Sequence, residues 1–287
     1  MSLDHKIDFI ATIEVKNANP NGDPLAGNYP RTDIGGYGII TDVCLKRKLR
    51  NRMQDQGHEI FVKANDRIDD GYLSLQSRYE AAFGEPKDRK KMPNEEMAKV
   101  FCENWVDVRS FGQVVTYDSK SIGIRGPVSI AMAKSLSPVE VVSMQITRST
   151  NAAEKGNDRA SDTMGSKQYV DYGVYVIKGS INPYFAEKTQ FSEEDADLVK
   201  ECLRTLFVND ASAARPEGSM EVVDIYWFDH PSKIGVVSSG KVFNLLKYEE
   251  VPTLDIHSYD DYGIHLDEDK LKKYQEAGLK VEHFHGL

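Results

Sequence analysis

An α+β fold is predicted by three features of the 287-residue chain. Apolar residues alternate in several short segments, they recur at helical spacing in others, and Gly, Pro and Asn cluster at the changeovers. Taken in order, Ile7 to Val15 (IDFIATIEV) alternates as a half-buried strand does. A loop rich in turn residues follows from Asn17 to Gly38 and includes NANPNGDP. Thr41 is a helix N-cap with Asp42 in the first turn, and Gly57 is a stop. Residues 58–138 read as an insertion. It holds helical stretches at Gly71–Phe83 and Asn94–Trp105, a charged linker EPKDRKKMPNEE, and strand-like runs at Gln113–Tyr117 and Ile122–Ala131. Val139 to Arg148 is a strand, and 149–167 is a polar excursion expected to be an exposed arm. Tyr172–Ile181 is a strand, and a helix capped by Ser192 follows. Val222–Phe228 and Lys241–Tyr248 read as strands, and Asp267–Glu276 as a short polar helix. Without the insertions the order is strand, helix, strand, strand, helix, strand, which is the ferredoxin-like or RRM-like arrangement.

Composition narrows the function classes. At 40% hydrophobic and 28% charged, the chain is ordinary for a globular protein, and no run approaches the length needed to span a bilayer. The first residues, MSLDHKIDFI, do not read as a secretory leader, so a cytoplasmic protein is expected. Three scattered cysteines, Cys44, Cys102 and Cys202, suggest reduced thiols. His283 and His285, with His257 and His265 upstream, do not converge enough to predict a metal site. Gly35-Gly36-Tyr37-Gly38 lacks the P-loop lysine. No cofactor and no catalytic residue is expected.

The net charge is -9, yet five of the seven residues from Lys46 to Arg52 are basic. On a helix, Leu45, Leu49 and Met53 make one apolar stripe. Lys46, Arg47 and Arg50 flank it on one side, where they suit RNA phosphates. Lys48 and Arg52 flank it on the other, toward solvent or a neighbouring subunit. Asn19 and Asn21, in the loop that enters this region, suit ribose or phosphate oxygens, and Arg31 adds a charge.

These pieces resemble a known family. NPNGDP (19–24), PR (30–31), TDVCLKRKLRN (41–51), DVRSFG (107–112), IRGPVSI (124–130), ITRS (146–149), TMGSK (163–167) and YGVY (172–175) run in order, with a weaker continuation through NDASAARPEGSM (209–220). In this the chain is similar to the CRISPR-associated "Cas seven" family, the backbone subunit of Cascade, and specifically to its type I-C branch. The resemblance implies an RRM-like palm at 1–57, 139–149 and 168–250. It implies a helical fingers insertion at 58–138, a thumb hairpin at 150–167 and a C-terminal extension at 251–287. It implies a non-catalytic RNA-binding subunit, several copies of which polymerise along the spacer of a CRISPR RNA and present it for pairing with target DNA. The implied partners are that RNA, target DNA through the guide, further copies, the large, small and guide-processing subunits, and a recruited helicase-nuclease; no membrane is involved. Gln113, Arg125 and Arg148 are then expected near the guide. Met164 is expected as a wedge at the thumb tip, and Lys167 as the cation of TMGSK, where Ser166 replaces a commonly basic residue. One rival is a metal-dependent ribonuclease of the type III kind, using Asp23 or Asp33. Another is a protein-interaction module whose basic helix meets acidic neighbours.

Overall fold

The computed structural model describes residues 1–147, 164–252 and 256–287. β1 (Ile7–Ala18) lies at the centre of the main sheet, antiparallel to β10 (Met164–Ile181) on one side and to β11 (Met220–Asp229) on the other. Beyond β11 comes β14 (Lys280–His285). Beyond β10 come β7 (Val128–Ile130), β8 (Ala133–Pro138) and β9 (Val141–Thr147), and β4 (Tyr37–Ile40) pairs with β8 at the edge. The loop after β1 is tied by a two-residue hairpin, β2 (Gly22–Asp23) with β3 (Tyr29–Pro30).

Alternation along β1 divides its side chains between two faces. Ile7, Phe9, Ala11, Ile13 and Val15 meet α1 (Asp42–Asp55) through Leu45, Leu49 and Met53, and α7 (Glu193–Arg204) through Val199, Cys202 and Leu203. α1 starts where predicted, with the Thr41 hydroxyl accepting from Cys44 N at 3.2 Å. α7 has the reciprocal cap of Ser192 and Asp195.

The second face of β1 is not solvated, as half-burial would require. Ile10 packs with Val176, Tyr226, Phe228, Val242, Leu245 and Leu279. The cover is built from α8 (Ser239–Phe243), the short pair β12 (Leu246–Lys247) and β13 (His265–Leu266), and α9 (Glu268–Glu276). Residues 241–248 correct the strand expectation in part: Lys241–Phe243 belong to α8 and only Leu246–Lys247 form a strand, and Val242, Leu245 and Leu246 close over the sheet. The polar residues of β1 on this side are buried with partners. Asp8 Oδ2 lies 2.9 Å from His230 Nε2 and 3.0 Å from Lys6 Nζ. Glu14 Oε1 accepts from the Tyr172 hydroxyl at 2.7 Å. A buried polar group without such a partner costs about 1–3 kcal/mol, so the cover and its hydrogen bonds form together.

The insertion has its own core of Phe61, Tyr79, Phe83, Met97, Phe101, Trp105, Val115 and Ile122. It is enclosed by α2 (Leu75–Phe83), α3 (Pro86–Lys91), α4 (Asn94–Asn104), α5 (Val106–Phe111) and the hairpin of β5 (Gln113–Val115) with β6 (Ile122–Ile124). α3 occupies the segment read as a charged linker. β7 and β8, placed in the insertion by sequence, hydrogen-bond into the main sheet instead. α5 joins the two cores: Val106 belongs to the main one and Val108 to that of the insertion. α6 (Pro183–Thr189) connects β10 to α7.

One glycine of the sheet has a specific steric duty. A Cβ on Gly179 would lie 2.1 Å from Phe9 Cζ. That ring is stacked on Trp227 at 5.4 Å. Gly179→Ala is therefore expected to lower stability by about 2 kcal/mol, read as a reduced urea midpoint. An unchanged midpoint would show that the Phe9 ring yields freely.

Candidate nucleic-acid interface

The basic helix is the first place to test for free positive charge. Lys46 Nζ lies 3.1 Å from Asp42 Oδ2, one turn back. Arg47 Nη1 donates to the Val62 carbonyl at 2.6 Å, and burial, with Arg50 close by, lowers its guanidinium pKa from the ordinary value. Arg50 Nε donates to Asp107 Oδ2 at 2.8 Å. Arg52 Nη1 lies 2.8 Å from Asp55 Oδ2. Lys48 does not face solvent or a neighbour as expected. It is 3% exposed, lies over the Phe207 ring and pairs with Asp210. Its methylene stem packs as an apolar residue would, which widens the buried stripe of α1. Every cation of the run thus has a partner within the chain, and the concentration of charge serves first to tie α1 to the insertion and to the 205–215 segment.

The loop residues are likewise occupied. Asn19 is buried, and its Nδ2 donates to the Asn28 carbonyl at 2.7 Å. Asn21 Oδ1 accepts from the amide and the hydroxyl of Thr41, each at 3.0 Å, which fixes the loop to the cap of α1. Arg31 Nη1 donates to Asp23 Oδ2 at 3.2 Å. Asp23 also caps the turn at Pro24–Ala26 through Leu25 N. Asp33 accepts from Gly35 N, Tyr37 N and Lys134 Nζ, and the lysine hydrogen bond holds its carboxyl below the usual range.

Three predicted residues are presented outward. Arg125 is exposed, lies over the Phe185 ring of α6 at 4.5 Å and makes no ion pair among the described residues. Its neighbour Gly126 is set by close packing, because a Cβ there would lie 2.3 Å from the Ser110 carbonyl oxygen and 2.5 Å from Gly112 N. Two of the quoted motifs, DVRSFG and IRGPVSI, thus meet backbone to backbone. Lys167 lies half-buried on the β9–β10 ribbon, opposite Met144. Met164 is 66% exposed but sits in the paired stem opposite Thr147, with its sulfur 2.8 Å from Gln145 Nε2. Gln113, on β5, is half-buried and turns its amide to the Val114 carbonyl. Arg148 and residues 149–163 of the expected arm lie outside the described residues.

The structure also assembles a feature the sequence did not reveal. A groove of about 490 Å³ runs beside β8 and β10 and is lined by Tyr37, Lys134, Lys178, Phe243, Lys247 and Tyr248, among others; Asp33 Oδ2 engages Lys134 Nζ at 2.6 Å, so a phosphate at that lysine would have to compete with it. Lys134 Nζ lies 4.4 Å from the centre of the Tyr37 ring. Lys178 is half-buried without an ion-pair partner among the described residues, and burial lowers its pKa. Three cations interleaved with aromatic rings fit a nucleic-acid backbone and its bases. The three lysines come from three separate segments, so no local motif marks them. The only signal in the sequence was a lysine at an outward strand position, in AKSLSP and VIKGSI.

Among the described residues no helix is long and apolar enough to cross a membrane. Comparison with known proteins then bears on the whole architecture. A solved chain described as "CRISPR RNA-guided surveillance complex, pre-nicking" superposes with a TM-score of 0.53, over 95% of this chain and 88% of that one. At 17% identity this is a likeness of fold. A curated relative from Haloferax volcanii, "CRISPR-associated protein Cas7", is 27% identical over 225 residues. The match spans 72% of this chain and 65% of that relative's length. Residues 5–267 match the profile of the family described as CRISPR-associated protein Cas7, and the chain belongs to that family.

Proposed function

We propose that this protein is a non-catalytic, RNA-binding backbone subunit of a type I-C Cascade surveillance complex. Copies of it polymerise along the spacer of a CRISPR RNA, protect it, and leave its bases open for pairing with target DNA. The single observation that carries this reading is the family match over residues 5–267. The strand order β11-β1-β10-β8, with α1 and α7 on one face, supports an RRM-like palm. The separate core of the insertion supports a fingers region, and the β9–β10 ribbon supports the stem of a thumb. The palm, on this reading, runs through 1–57 and 168–250 and takes in β7 and β8, which sequence alone puts in the fingers, while β9, read from sequence as a palm strand, belongs with the thumb stem.

The guide is held through its backbone, by Arg125, Lys167 and the lysines of the groove, so sequence is read by base pairing and not by the protein. Asp23 and Asp33 brace their own loop, which favours this reading over a type III ribonuclease. The remaining partners are the large, small and guide-processing subunits, and a helicase-nuclease recruited to the complex.

Titration onto labelled single-stranded RNA tests the proposal. The expected result is cooperative binding that ignores spacer sequence, weakens steeply with salt and gives particles that grow with RNA length. Oligomers that form without RNA and ignore ribonuclease, or divalent-dependent cutting of a paired RNA, would overturn it. Arg125→Ala alone is expected to weaken binding about fivefold, as removal of one exposed phosphate contact does.

A further inference from the structure

The last strand carries two histidines whose third partner lies far upstream. His283 and His285 are two residues apart on β14, so they share a face. The ladder sets His285 opposite Asp224 of β11, and His283 opposite Tyr226. Asp224 Oδ1 lies 2.8 Å from His283 Nε2 and 3.0 Å from His285 Nδ1. The two imidazole rings are 5.2 Å apart and nearly perpendicular.

The supporting shell is ordered in the way a metal ligand needs. Asp224 is 7% exposed, and its second oxygen accepts from the Tyr259 hydroxyl at 2.6 Å. The Tyr259 oxygen lies 2.8 Å from the Thr12 hydroxyl, and Thr12 Oγ1 accepts from Asp224 N at 3.0 Å. This closed ring fixes the carboxylate so that Oδ1 alone points at the imidazoles. His283 is held by stacking on Tyr226 at 4.5 Å.

We propose that Asp224, His283 and His285 bind a divalent transition-metal ion such as Zn²⁺. Two imidazole nitrogens and one carboxylate oxygen are a donor set that such an ion takes. Ligands about 2.0–2.1 Å from a tetrahedral ion stand about 3.3 Å from one another, so Asp224 Oδ1 needs to part from each imidazole nitrogen by only a few tenths of an ångström; all three donor atoms lie within 4.8 Å of one another, and His285 Nδ1 would exchange its 3.3 Å contact with the Val223 carbonyl for the ion. Three protein ligands leave a further position for water. The ion would fasten the final strand to the sheet across the β11–β14 ladder. A second cluster, Asp4, His5 and Glu193, has its acids at the surface and no comparable shell, and it serves as the control.

The test uses the full chain after removal of metal with EDTA. Titration with Co²⁺, followed by visible absorption, is expected to give about one equivalent bound at micromolar affinity, with tetrahedral d–d bands and no thiolate charge-transfer band. Zn²⁺ is expected to displace the Co²⁺ and to raise the melting temperature. His283→Gln and His285→Gln, both at exposed positions, are each expected to weaken binding by at least about tenfold and together to abolish it, and to remove the rise in melting temperature that Zn²⁺ gives the wild type. His5→Gln is expected to bind as the wild type does. No binding at 100 µM metal, binding that survives the double variant, a thiolate band, or loss in His5→Gln would each overturn the proposal.

Discussion

Asp107→Ala is expected to lower stability by about 3–5 kcal/mol, the range for removing one partner of a buried ion pair. Asp107 is fully buried at the start of α5. One oxygen accepts from Phe61 N at 2.8 Å, and the other from Val62 N at 3.2 Å and from Arg50 Nε at 2.8 Å. Truncation leaves two amides and a guanidinium without their acceptor, at the junction between the insertion and α1. Asp107→Asn keeps one oxygen and is expected to fall between the wild type and alanine. Urea unfolding at neutral pH measures both. A loss below about 1 kcal/mol for the alanine variant would show that the two cores hold together without this clamp.

Removing the three groove lysines together is expected to weaken RNA binding about 100-fold near 0.1 M salt, with the salt slope reduced by about 2. The variant is Lys134→Gln with Lys178→Gln and Lys247→Gln, which keeps length and polarity. The matched control removes the same charge from α3 by Lys87→Gln, Lys90→Gln and Lys91→Gln, all exposed on a helix away from the main sheet. Filter binding over a salt series separates the two. Equal losses would mean that only net charge matters and that the groove is not the path of the guide.

These expectations depend on contacts that a linear reading sees unevenly. Thr41 and the Ser192–Asp195 pair were legible because a cap is decided within four residues. β1 was legible as a strand, but not its double burial. Asp8, Thr12 and Glu14 look like a solvated face until His230, Tyr259 and Tyr172 are brought over them from distant segments. β8 and β14 escaped notice because AKSLSP and KVEHFH carry few apolar residues, and pairing to a neighbour makes them strands. The basic helix shows the same limit for the site. Its excess charge was plain, but Asp107 and Asp210, which engage two of its cations, lie far along the chain. Met164 is exposed, as expected of an arm, but stands in the ladder and not at a tip, whereas Met144 and Ile146, read as part of a palm strand, are exposed beside it on the ribbon.

The central place of β1 has a consequence for how the chain is made. Its ladder begins with Ile7 opposite Ile181 on one side and opposite Asp229 on the other. A strand of almost unbroken burial therefore leaves the ribosome before either of its neighbours and waits for both. Pairings this distant in sequence form slowly, because loop closure must precede any gain from contact. During that interval IDFIATIEV is an unpaired, aggregation-prone edge. Truncations that end before β11 are thus expected to collect in the insoluble fraction, and soluble yield should depend on temperature and chaperone supply more than on equilibrium stability.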